Sequence, residues 1–302
     1  MRRRRWLGFA AFCLLTGSRW LLNPDGMALP VPVFLRTATH DVLLCALLCG
    51  WIAMRRPVVS WRTLPWGPIA LCVAAIFVLP YAIIEAAGSS VTGFTETLVF
   101  TLVPVFVVFF VAQQDWEFGQ RADPRRLLGP ALAGVFGAAL LIEFRWPSSV
   151  AGELWFGALV ASAILASYAA LRLHRALQGA PVVPVAALTG GIIAAAGIAV
   201  SWSDLPSIRM LDGRATLVEA AVALLLDGPV LLLSVWLLRE LPPVAFSTRY
   251  LLFVVVTVVE TYVVLHLPVV WRTGAGVLLM AGGAAWLLRE SPTADSSNTS
   301  SP

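Results

Sequence analysis

Leu127-Leu128-Gly129-Pro130-Ala131-Leu132-Ala133-Gly134-Val135-Phe136-Gly137-Ala138-Ala139-Leu140-Leu141 is apolar throughout, with no charged side chain and no alternation of apolar with polar residues. Membrane β-strands need only about ten residues and alternate faces, so a continuous stretch of this kind reads as a helix in lipid. Nearly the same stretch returns near the carboxyl end as Thr273-Gly274-Ala275-Gly276-Val277-Leu278-Leu279-Met280-Ala281-Gly282-Gly283-Ala284-Ala285-Trp286-Leu287. Each follows an arginine, and Gly-Ala-Ala lies near the end of each.

The composition around these stretches is of the same kind. The 302 residues are 59% hydrophobic and 13% charged, with a mean hydropathy of +0.84, which no single water-soluble core absorbs. Apolar runs of about 20 residues rise about 30 Å as helices, the thickness of a bilayer's hydrocarbon. They predict helices near 6–22, 34–53, 66–86, 92–112, 127–144, 153–172, 182–201, 215–238, 245–266 and 270–288. The expected fold is an all-α polytopic membrane protein of ten transmembrane helices. Short joints such as Asn23-Pro24-Asp25-Gly26 and Arg55-Arg56-Pro57 turn the chain. The tail 291–302, rich in Ser and Thr, reads as disordered.

Charge supplies orientation. The sequence has no lysine, so all 21 basic residues are arginine. With the amino terminus inside, fifteen fall on the cytoplasmic side: Arg2, Arg3, Arg4, Arg5, Arg55, Arg56, Arg62, Arg121, Arg125, Arg126, Arg172, Arg175, Arg239, Arg249 and Arg289. Four fall opposite, Arg145, Arg209, Arg214 and Arg272, while Arg19 and Arg36 lie within or at the edge of helices. The positive-inside rule then places both termini in the cytoplasm of a multi-pass protein of the cell membrane. The net charge of +4 reflects this topology and argues against nucleic acid as a partner. Arg2 to Arg5 followed by Trp6 to Leu15 also resembles a signal peptide, but the repeat pattern described next needs this segment as its first helix.

Ten helices divide into five plus five, with 1–147 as the first repeat and 148–290 as the second. Pro80 and Pro229 interrupt the third and eighth helices at comparable depth, as the Gly-rich stretches match between the fifth and tenth. An odd number of helices per half inverts the second copy in the membrane. The fourth-helix run Thr95-Glu96-Thr97-Leu98-Val99-Phe100-Thr101-Leu102-Val103-Pro104-Val105-Phe106, with the two Gly-rich helices, resembles the drug/metabolite transporter superfamily, in particular its ten-helix permeases with two EamA-type repeats. Val254-Val255-Val256 and Leu267-Pro268 depart from that family's usual proline and Gly-Glu. The resemblance implies secondary transport of a small metabolite, such as an amino acid or related compound, by alternating access.

Three stripes of small residues at four-residue spacing are expected to let helices approach closely: Ala158, Ser162, Ala166 and Ala170; Ala187, Gly191, Ala195 and Ala199; and Gly129, Ala133 and Gly137. Cys13, Cys45, Cys49 and Cys72 lie in apolar segments without metal-ligand spacing and read as small buried hydrophobes, so neither metal nor cofactor is expected. Trp6, Trp66, Trp155 and Trp271, at predicted helix ends, read as an interfacial belt.

Ionisable groups inside the spans carry the functional signal, because a charge at the bilayer centre costs about 2.5 to 3.5 kcal/mol or more. Asp227 lies mid-helix in Leu226-Asp227-Gly228-Pro229, where the proline removes a ladder hydrogen bond beside the carboxylate. Glu96 and Glu260 occupy helices four and nine, equivalent in the two halves, and carboxylates in apolar surroundings are candidates for proton exchange. Arg36, His40 and Asp41 fall within about two turns of helix two, where they form an outer gate or an interfacial ion pair. Tyr81 and Tyr262 are candidate cavity linings. Glu85, Glu143 and Glu219 sit at helix ends, within reach of water or headgroups. A membrane enzyme would need a motif such as His-Glu-x-x-His or Gly-x-Ser-x-Gly, and none occurs; no nucleotide loop occurs either. A sensor or scaffold that keeps the fold is the other reading, and a homodimer is an open assembly state. Lipid and a small-molecule substrate are the partners implied.

Overall fold

The computed structural model describes residues 2–22, 31, 33–55, 64–117, 124–142, 146–210 and 213–290. The turn at 23–26, Arg56-Pro57, Arg62, Arg121, Glu143, Arg145 and the tail 291–302 lie outside the described residues.

Each expected apolar run is helical, and no strand occurs among the described residues. In chain order the helices are α1 (Arg2–Gly17), extended by a 3-10 turn over Ser18–Leu22, α2 (Val33–Arg55), α3 (Trp66–Ala87), α4 (Phe94–Gln114), α5 (Pro124–Leu141), α6 (Val150–Ala176), α7 (Val182–Val200), α8 (Gly213–Glu240), α9 (Pro243–Val264) and α10 (Trp271–Glu290). Among the described residues 7 helical stretches, in α2, α3, α4, α6, α7, α8 and α9, are long and apolar enough to cross a membrane, and α5 contains the shorter apolar helix Arg126–Leu141. Large apolar side chains such as Leu71, Phe109, Phe136, Leu154, Leu225 and Leu278 point outward. Exposure on that scale requires a lipid solvent. The chain is a multi-pass membrane protein.

Hydrogen-bond supply explains the local geometry. Thr92 begins α4 by accepting from the Thr95 amide, and Ser149 begins α6 by accepting from Gly152. Pro80 and Pro229 have no N–H to give to the carbonyl four residues back. In both cases the ladder has shifted by one residue just upstream, forming a π-helical turn over Ala74–Val78 in α3 and over Ala223–Asp227 in α8. The Leu79 amide reaches the Ala74 carbonyl, and the Gly228 amide reaches that of Ala223. Single π turns of this kind occur often at functional positions.

Packing between helices follows a recurring set of pairs. α1 lies against α8 and α9, as α6 lies against α3 and α4; α2 touches α8, as α7 touches α3; α4 lies on α5, as α9 lies on α10. α2 with α7 and α5 with α10 make the most extensive contacts. The α5–α10 contact is glycine on glycine. A Cβ on Gly137 would lie 2.6 Å from the Gly276 carbonyl oxygen, and one on Gly276 2.8 Å from that of Gly137.

Two sequence expectations shift. In α7 the close-packed face is Gly190, Ala194 and Gly197, while Ala195 and Ala199 are exposed. A Cβ on Gly197 would meet the Ala38 methyl. Strict four-residue spacing overshoots the 3.6-residue turn by about 40° per step and leaves the contact face. Gly129 in α5 likewise meets open space. Second, Arg249, counted above among the cytoplasmic arginines, is only 7% exposed.

Candidate functional site

The charged groups of α2 and α8 meet across the contact between those helices. Arg36 and His40 are one turn apart, so both project toward α8. Glu219 and Asp227 are about two turns apart on α8, and the π turn ends at Asp227. His40 stands between them, with Nδ1 2.7 Å from an Asp227 carboxylate oxygen and Nε2 2.8 Å from Glu219 Oε2. Arg36 Nε is 3.5 Å from the same Glu219 oxygen, and Arg19, in the 3-10 turn after α1, places Nη2 3.4 Å from Asp227 Oδ1. His40 is 4% exposed. Asp41 is also buried, beside Gly190 of α7 and within electrostatic range of Asp227, Arg19 and His40.

The hydrogen bonding of His40 implies a definite proton inventory. A ring nitrogen and a carboxylate oxygen at these distances need one proton between them. Both contacts are met by an imidazolium between two carboxylates, or by a neutral ring with one carboxyl protonated. In either case removing one proton turns one N···O contact repulsive and weakens the link between α2 and α8. The cluster thus bridges α2 and α8, with arginines from two elements balancing the carboxylates.

The other sequence candidates occupy distinct places. Glu260 is fixed by the end of α1: Ser18 Oγ donates to one carboxylate oxygen and Trp20 Nε1 donates to the other at 3.2 Å. The Thr257 hydroxyl donates to the Gly17 carbonyl at 2.9 Å, closing the same joint. Tyr262 pairs with the Thr273 hydroxyl at 2.9 Å and ties α9 to α10, away from the charged cluster. Glu96, in the first turn of α4, is half-buried and makes no side-chain hydrogen bond among the described residues. Tyr81 stacks on Phe34 of α2 at 6.1 Å and lies within electrostatic range of Arg19, Glu96, Tyr250 and Arg249. It is nonetheless 51% exposed.

Three participants escaped the sequence reading. Glu219, which its position in the sequence places at a helix end within reach of water or headgroups, holds His40 and Arg36. Its signal was the two-turn spacing to Asp227, which puts both on one face. Arg19 gave no signal, because its partner is far away in sequence. Arg249 sits over aromatic rings, 4.1 Å from that of Phe246 and 4.6 Å from that of Tyr250. The aromatic residues flanking it at 246, 250 and 253 were the available sign.

No family model matches the chain, and comparison with curated proteins finds no similar sequence. A solved crystal structure of a protein superposes over 95% of this chain and 98% of that one, with a TM-score of 0.70 at 19% sequence identity. At that identity the likeness concerns architecture, and the chain shares its fold with that protein.

Proposed function

We propose that the chain is a secondary permease for a small metabolite, such as an amino acid or related compound, working by alternating access and without a bound cofactor. It is built as two inverted five-helix repeats, 1–147 and 148–290, of EamA type, with α1, α5 and α10 also crossing the cell membrane and both termini in the cytoplasm. Exchanging α1 to α5 for α6 to α10 maps the recurring helix pairs onto one another, and it maps the π turn before Pro80 onto the one before Pro229. This supports the repeat reading.

The observation that carries the function is His40 held between Glu219 and Asp227 beside a proline-broken helix. Intramembrane charges are costly and persist where an ion or solute pathway uses them, and broken helices supply polar backbone at such sites. A cluster whose helix contact depends on one proton is a device for coupling solute movement to a pH gradient. Comparing metabolites inside and outside cells that express or lack the protein tests the reading. Transport predicts that one compound class redistributes, whereas an unchanged distribution together with a folded, membrane-inserted protein would favour a sensor or scaffold.

A further inference from the structure

Cys45 and Cys49 depart from the buried state that the sequence suggests for every cysteine: Cys45 is half-buried, Cys49 is exposed, and both are free thiols. They stand one turn apart on α2, and the two thiols hydrogen-bond to each other. The face they share runs beside α7. A Cβ on Gly191 would lie 3.3 Å from Cys45 Sγ and would meet nothing else within 4 Å. Ala195, one turn further along α7, is exposed as well. The thiol pair therefore borders an open strip of small residues on the lipid-facing surface of the bundle.

Chemistry narrows what such a pair can hold. Thiols become metal ligands as thiolates, and a structural zinc ion takes four donors. Among the described residues no group of three or more His, Cys, Asp or Glu is placed to hold a metal ion. Net charge inside the bilayer is costly, and Asp41 already lies one turn from Cys45 and within electrostatic range of it. The fitting ligand takes two sulfur donors and leaves a neutral product.

We propose that Cys45 and Cys49 form a two-thiol site for trivalent arsenic carrying one organic group, entered from the membrane beside Gly191. The organoarsenic oxide gives up its oxygen as water, which carries off both thiol protons, and two As–S bonds replace the bonds to oxygen. Arsenic stays trivalent, so no oxidant or reductant is consumed. The product is uncharged, and its organic group lies on the strip that Gly191 leaves open. The site is independent of the permease reading.

The test uses the full chain in liposomes, phenylarsine oxide as the probe and intact mass as the readout. One phenylarsenic group should add per chain, survive excess mercaptoethanol and come off with the chelating dithiothreitol. Cys45→Ser and Cys49→Ser should each lower its resistance to mercaptoethanol at least about a hundredfold, because the second As–S bond forms within the chain. Cys13→Ala and Cys72→Ala should leave it unchanged. Gly191→Val should slow arsenical addition while maleimide labelling of Cys49 proceeds as before. The absence of an adduct on the wild-type protein, or its ready removal by mercaptoethanol, overturns the proposal without recourse to any variant. Because Cys49 is exposed, Cys49→Ser leaves the packing intact, and an adduct equally resistant in that variant overturns it too. Arsenical addition at an undiminished rate in Gly191→Val overturns the entry beside Gly191.

Discussion

Asp227 pairs with His40 and with Arg19, so its two natural replacements separate charge from shape. Asparagine keeps the size and one acceptor for His40 but cannot ionise. Asp227→Asn should leave the protein inserted at wild-type abundance and reduce transport at least about tenfold. Asp227→Leu strands both partners at a cost of about 1 to 3 kcal/mol and should lower abundance as well. Flux normalised to membrane protein separates these results, and full transport by the Asn variant would remove Asp227 from the mechanism. Glu96 and Glu260, which looked equivalent in sequence, have different surroundings. Glu260→Gln disturbs the bonds from Ser18 and Trp20 and should cost about 1 kcal/mol, seen as a lower unfolding temperature in detergent, whereas Glu96→Gln should leave that temperature unchanged and alter the pH dependence of transport. Spacing along one helix made the Arg36–His40 face legible in advance. It could not supply the Glu219 and Arg19 partners, because contacts between distant segments leave no local pattern.

For whole helices, hydropathy located each run to within a few residues, since lipid imposes length and apolarity on every span. The proline positions also pointed to the broken third and eighth helices, although the shift into π turns needed the actual hydrogen-bond ladder. Packing faces were less legible. Small residues at four-residue spacing occur on several sides of a glycine-rich helix, and only the neighbouring helix selects one. Gly274 and Gly276 of α10 illustrate the difference. A Cβ at Gly276 meets the Gly137 carbonyl and the Leu141 side chain, while one at Gly274 meets nothing within 4 Å. Gly276→Ala should therefore destabilise the protein by about 1 to 3 kcal/mol, and Gly274→Ala should change it by less than about 0.5 kcal/mol. Equal thermal unfolding temperatures for the two variants would show that α5 and α10 do not pack as described.

For the molecule as a whole, the arginine asymmetry, fourteen to four once buried Arg249 is set aside, remains the basis of orientation. A reporter fused at Pro302 should be cytoplasmic, and a reporter within Ser203–Gly213 should label from outside; reversed labelling at both would invert the topology. Under that orientation the His40 cluster, the Glu260 joint and Glu96 all lie toward the outer half, and Arg249 toward the inner half. Arg249 and Glu260 are separated by about 16 Å along α9 at 1.5 Å per residue. The most direct measurement is uptake into liposomes containing only the purified chain, using the compounds that redistribute between expressing and non-expressing cells, with and without an imposed pH gradient. The account predicts saturable uptake above that of protein-free liposomes, without ATP, and its loss in Asp227→Asn. Uptake no faster than in protein-free liposomes, from a chain shown to be folded and inserted, would contradict it.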